Sequence, residues 1–196
     1  MKRSTTLAML IAGVVAFPVL AQTTSSEVQR NTNQQQRIEQ GLQSGALTTK
    51  EAGQLERQQT QVDRMETNAL KDGSVSPTEK ARIQAAQNQT SATINADKHN
   101  AKLGNPTSKS SQRMQADVQR NVNQQARIEQ GVKSGQLSNK QVASLEHGQA
   151  HVNRAEANAA ADGHVGAVGQ ANIQGRENVQ SARIHHKKTS APVQPQ

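Results

Sequence analysis

Histidine pairs are the first residues in this 196-residue sequence with the types and spacing to do chemistry. His147 and His151 are four apart, which on a helix puts two imidazoles one turn apart on one face. Leu145 and Val152 mark the apolar stripe of that segment. At 100° per residue the two histidines lie about 200° and about 240° round from Leu145, so they face solvent. Such a pair can chelate zinc, nickel or copper, and His185 with His186 offers a second place to do so. Two imidazoles do not close a tetrahedral site, and no Glu follows His147, so the pattern is not the HExxH helix of zinc hydrolases. Two solvated histidines are the simpler reading. His99 and His164 are isolated.

A second candidate is oxygen-based. From Asn68 to Glu79 the chain carries Asn68, Asp72, Gly73, Val75, Ser76 and Glu79 at positions 1, 5, 6, 8, 9 and 12 of a twelve-residue loop. This resembles an EF-hand calcium loop. The resemblance implies calcium held by Asn68, Asp72, Ser76 and Glu79. Gln40–Glu51, Gln130–Gln141 and Asn158–Gly169 repeat the skeleton more weakly. Position 3 is Leu42, Leu70, Val132 or Ala160, none of which ligates through its side chain, and position 12 is acidic only at Glu51 and Glu79. The same letters also spell a metal-free corner: a glycine helix stop, one aliphatic contact, then a Ser/Thr-x-x-Glu capping box. The ligand count favours the corner. The turns also make the chain similar to small exported proteobacterial helical repeat proteins of unassigned function, with SGxLTxxE and DGxVTxxE turns.

Catalytic patterns are missing. There is no Cys, no GxSxG and no glycine-rich phosphate loop, and the carboxylates of Glu51 and Glu79 are engaged as caps. The expectation is a protein that is not an enzyme and has no obligatory cofactor, with calcium or zinc as the possible exceptions.

The elements that must position these residues come as a duplication. Glu27–Ile94 aligns without a gap onto Asp117–Ile184 at an offset of 90, with half the positions identical. The glycines at 41/131, 45/135 and 73/163 stay in register. Each repeat predicts three antiparallel helices. In the first repeat Val28, Gln35, Ile38 and Leu42 share one face of the first helix. Ala52, Leu55, Val62, Met65 and Ala69 share one face of the second, and Ile83, Ala86, Thr90 and Ile94 one face of the third. Capping boxes are expected at Thr48/Glu51, Ser76/Glu79 and Ser138/Gln141. Gly166 has lost its box and Gly175 sits inside the last helix, which should be the weakest element. His147 and His151 replace Arg57 and Gln61, so the fold does not depend on the pair.

The expected fold is all-α: two tandem three-helix antiparallel modules over 22–94 and 112–188, a flexible linker over 95–111, and a loose tail over 189–196. Residues 1–21 read as a signal peptide. Lys2 and Arg3 form its basic start, Leu7–Phe17 its short apolar run, and cleavage falls after Ala21. The expected location is periplasmic or secreted, with no membrane span once the leader is removed. The only aromatic, Phe17, leaves with the leader, which removes base- and sugar-stacking surfaces. Asn and Gln dominate the polar composition. The leading functional expectation is therefore a non-enzymatic binding or envelope-stress protein whose amide-rich faces meet an unknown macromolecule of the envelope. A divalent-cation binder is the alternative. Weak attraction to polyanions, without specific nucleic-acid reading, is a third, set by the net charge of +8. Narrow apolar stripes also make self-association plausible.

Overall fold

The computed structural model describes residues 19–190, with side chains from Thr24 onward. Residues 1–18, which hold most of the expected leader, and 191–196 lie outside the described residues. Six helices follow one another: α1 (Val19–Ser44), α2 (Thr49–Ala69), α3 (Pro77–Lys98), α4 (Lys109–Lys133), α5 (Asn139–Ala159) and α6 (Ala167–Thr189). The fold is all-α, and no strand occurs among the described residues. No described helix is long and apolar enough to cross a membrane.

Local chemistry sets the boundaries. Thr48, Ser76 and Ser138 each accept from the backbone N–H three residues on, while Glu51, Glu79 and Gln141 accept from the cap's own N–H. Those reciprocal bonds satisfy donors that helix starts otherwise leave unpaired. Gly45 and Gly73 turn the chain at φ of 75° and 94°, a left-handed region that suits glycine. Gly166 starts α6 with no side-chain cap.

Packing differs from two self-contained bundles. The most extensive contacts run between modules, α2 against α5 and α1 against α4. Both pairs are antiparallel: Asp63 meets Asn153 and Thr67 reaches Ala143 along one, and Thr32 meets Glu129 along the other. Gly53 permits the first contact, because a Cβ there would lie 2.7 Å from the Ala160 Cβ. Each module thus supplies the surface that the other's narrow stripe lacks. The outer helices lie over this four-helix centre, with Gln34 donating to the Gln87 carbonyl and Gln124 to the Glu177 carbonyl.

Two apolar clusters cap the centre, each drawing on both modules. One joins Ile38, Leu42, Leu47, Ala52 and Leu55 to Met114, Val118, Ala160 and Val165. The other joins Val28 and Leu70 to Ile128, Val132, Leu137, Val142 and Leu145. A buried Leu or Ile contributes roughly 1.5–3 kcal/mol, so these clusters carry much of the stability.

The segment between modules is shorter and more anchored than a flexible linker over 95–111. Residues 95–98 continue α3, and Ser108 caps α4. Gly104 N–H donates to the Gly45 carbonyl at 2.8 Å, and Asn100 donates to Glu51 at 2.8 Å. Lys102 pairs with Glu51 at 3.6 Å. Helix α6 runs to Thr189, just into the expected tail.

Candidate metal centre

Between the two apolar clusters the interior is polar. On α2 the residues Glu56, Gln59, Asp63 and Glu66 are spaced three, four and three apart, and so share one face. The same registers on α5 are Glu146, Gln149, Asn153 and Glu156. All eight are buried. The expected α2 stripe is buried at Ala52, Leu55, Val62 and Ala69, but the inward face is wider than it: Met65 is only half-buried, while its acidic neighbour Glu66 points inward. The cause is the second module, which covers a wider face of α2 than one three-helix bundle would.

Antiparallel pairing brings these residues together at two levels. At the first, ligand oxygens of Asp63, Glu66 and Glu146 all lie within 4.8 Å of one another. At the second, Glu56 and Glu156 meet closely enough to share a proton, beside Asn153. The levels are related by the duplication, and Asp63 against Asn153 is the difference in their central residue.

Helices α1 and α4 hold the carboxylates with neutral amides. Asn31 Nδ2 donates to Glu66 Oε2 at 2.8 Å, and Gln125 Nε2 donates to Glu146 Oε2 at 3.1 Å. Asn153 Nδ2 donates to Asp63 Oδ2 at 2.9 Å. From α3, Gln87 Nε2 donates to Glu66 Oε1 and to Asn31 Oδ1. At the second level Asn121 donates to Glu156 at 2.7 Å and Gln35 to Glu56 at 2.9 Å. No Lys or Arg pairs with Asp63, Glu66 or Glu146 among the described residues. Among the buried side-chain atoms without a hydrogen-bond partner are both amide atoms of Gln59, Glu146 Oε1 and, at the second level, Glu56 Oε1 and Glu156 Oε1.

Electrostatics makes this arrangement costly for bare anions. Burial pushes Glu56 and Glu146 up to about 7 from the usual 4.5. Asp63 is raised further, by burial and then by the charges of Glu146, Glu66 and Glu56. Glu66 is raised by burial and by Glu146 and Glu27. Glu156 is raised by burial and then by Glu56, Glu177 and Asp117. Near the second level, burial pushes Asp117 to about 7 and Glu177 to about 8, even with Arg120 paired to Glu177 at 2.7 Å. Like charges 4–5 Å apart repel by roughly 3–4 kcal/mol per pair at an effective dielectric of 20. Three adjacent carboxylates therefore stay dry only if protonated or bridged by a cation.

The donor set fits a hard divalent ion. Three converging carboxylates are all oxygen ligands, the kind that calcium, magnesium and manganese take. No sulfur or imidazole is present in the cluster to favour copper or zinc.

The residues singled out from the sequence lie elsewhere. Asn68 and Asp72 are exposed, and Asp72 Oδ1 is occupied by the N–H and hydroxyl of Ser74. Glu79 Oε2 receives both Ser76 N–H and Ser76 Oγ, and these bonds hold its carboxyl below the usual range. Asn68, Asp72, Ser76 and Glu79 thus form a helix-turn-helix corner. His147 and His151 are exposed and adjacent as expected, with ring centroids 4.7 Å apart. His185 and His186 are also exposed, near the end of α6.

The inward acids escape a search for apolar periodicity. Two signals do point to them. The three–four–three spacing runs beside Leu55 and Val62, and Asn31, Gln35, Glu56, Gln59 and Glu66 recur unchanged as Asn121, Gln125, Glu146, Gln149 and Glu156 while half the repeat has diverged. Comparison with protein-family models, curated proteins and solved structures finds no match.

Proposed function

We propose that this protein binds a hard divalent cation in the chamber between its two modules, as an exported, non-enzymatic cation-binding protein. The observation that carries the reading is the convergence of Asp63, Glu66 and Glu146, wholly buried and within 4.8 Å, with no cationic side chain to neutralise them. The second carboxylate oxygen of Glu146, Oε1, has no hydrogen-bond partner and supplies further ligand capacity. Asn31, Gln87, Gln125 and Asn153 orient the carboxylates, as outer partners do around metal ligands. Export is supported by the basic, apolar and small-residue segments of 1–21. The amide-rich faces serve this interior, which favours an ion over a macromolecule as their partner.

The test is calorimetric titration of the chelator-treated protein with manganese, calcium, magnesium and zinc, with bound metal then counted by mass spectrometry. Asp63→Asn and Glu146→Gln should each weaken binding of the preferred hard ion at least tenfold. Asp72→Asn with Glu79→Gln should leave it unchanged. The reverse pattern would return the site to the 68–79 loop. No binding of any ion would leave the carboxyls sharing protons and sink the proposal.

A further inference from the structure

The second module carries a surface trough. It lies between α5 and α6, and its central cavity of about 580 Å³ is lined by His147, His151, Arg176 and Arg183. One end continues to His186 and Lys187, the other to Arg154. No Asp or Glu lines any of the three segments. Arg154, Arg176 and Arg183 enter no ion pair among the described residues.

The trough has a specific construction. Arg176, Arg183 and Lys187 are spaced seven and four apart, so they line one face of α6 over about 16 Å, at 1.5 Å per residue. Gly148 lets α6 approach closely: a Cβ there would lie 2.0 Å from Gln180 Oε1. Gln180 is itself fixed by donating to the Leu145 carbonyl at 2.8 Å. Gly175 faces open space and leaves the floor clear. The equivalent residues of the first module are Arg57, Gln58, Gln61, Ala85, Ala86 and Thr93. The fold therefore stands without this chemistry, and the basic trough is an addition to it. His151 is held below its ordinary pKa by partial burial and by His147, Arg176, Arg64 and Arg154, so cations crowd here without an anion to relieve them.

We infer that this trough binds phosphate groups, preferentially a chain of two or more, through Arg176 and Arg183 with His147 and His151 beside them. Guanidinium forks match phosphate oxygens in pairs, and a row of cations about 16 Å long spans more than one phosphate. No Phe, Tyr or Trp lines the trough, so it offers no stacking platform for bases, which favours the phosphate chain over a nucleic acid.

The experiment compares wild type with Arg176→Ala plus Arg183→Thr, which installs the residues that the first module carries at those registers. Far-UV dichroism confirms that both are folded. Binding of tripolyphosphate, inorganic phosphate and sulfate is measured at fixed ionic strength, alongside flotation with vesicles containing phosphatidic acid. Tighter binding of tripolyphosphate than of sulfate, weakened at least tenfold in the double variant, is expected. Variant-sensitive binding to vesicles alone would place the phosphate on a lipid headgroup. Binding that is equal for sulfate and tripolyphosphate, unaffected by the double substitution, or missing for every probe would overturn the inference.

Discussion

Raising the pH of the cation-free protein should unfold it from the inside. Glu56 and Glu146 titrate near 4.5 in the unfolded chain and at about 7 when folded, because burial disfavours their charged forms. Between those values the folded state keeps protons that the unfolded state has released, so stability falls as pH rises. Their contribution is complete below about 4.5, declines across 4.5 to 7, and is gone above 7. A shift of two to three units corresponds to roughly 3 kcal/mol per group, hence about 6 kcal/mol for the pair. That is comparable with the whole stability of an ordinary domain. At about 2–4 °C per kcal/mol for a chain of this size, the melting midpoint should drop by roughly 12–25 °C between pH 5 and pH 7.5. Glu51 acts in the opposite sense. Its burial is outweighed by bonds from Thr48 and Asn100, so its pKa is lowered and its contribution disappears as pH falls. The cation-free optimum should therefore lie near pH 5. Circular dichroism melts in chelator at half-unit pH steps would read the effect, and a second set with saturating manganese or calcium should lose the Glu146 share of the slope, about half, while the Glu56 share at the second level stays. A flat or rising midpoint from pH 5 to 7.5 in chelator would refute the reasoning, because ionised carboxylates would then be tolerated in that interior without a counter-ion.

Other perturbations separate the parts of this account. Asp63→Asn copies the Asn153 level and removes one of three crowded carboxyls, so at pH 8 without cation it should raise the melting midpoint by several degrees while weakening cation binding. Gly53→Leu forces a side chain where a Cβ already lies 2.7 Å from Ala160 Cβ, and should cost about 1–3 kcal/mol by denaturant titration; independent modules would tolerate it. Thr48→Ala removes the acceptor for Glu51 N–H and should cost about 1 kcal/mol in the same assay. Gly175→Ala adds a methyl in open space inside α6 and should stabilise by about 0.5–1 kcal/mol, seen as slower amide exchange in that helix.

How much of this was legible depends on where the determinants sit. Helix number, the three capping boxes and the uncapped start at Gly166 are local properties, and the letters carry them directly. The two-repeat boundary is equally plain from the register of Gly41, Gly45 and Gly73. The intermodule pairing is not local. Nothing in α2 alone says that Gly53 will meet Ala160, or that Glu66 will stand level with Glu146, because those contacts join residues more than 75 positions apart. Apolar periodicity placed Val62 inside correctly, yet it is silent on the adjacent Asp63, which is buried as well. The interior of a polar bundle breaks the rule that period follows hydrophobicity. Here the stripe is written in Glu, Gln and Asn. The 68–79 turn shows a complementary ambiguity, since caps and calcium loops use the same glycine and the same carboxylate, and there the ligand count favoured the cap.

The distribution of charge ties the chamber to the trough. Glu27, Glu56, Asp63, Glu66, Asp117, Glu146, Glu156 and Glu177 are all buried, whereas no described Lys or Arg is. The formal net charge of +8 therefore understates the surface, whose cations face few exposed acids. If the inner carboxyls are protonated or cation-bound, the exterior field is stronger still, which favours phosphate at the Arg176–Arg183 face and repels free cations. A cation must then enter against that field and past two apolar clusters. Ile38, Leu42 and Leu55 close one end, and Ile128, Val142 and Leu145 the other. On the proposed cation-binding reading, loading is consequently coupled to folding or to separation of α2 from α5. The same reading predicts that a bound ion exchanges slowly, measurable as the rate of metal loss to excess chelator, which suits sequestration better than rapid sensing.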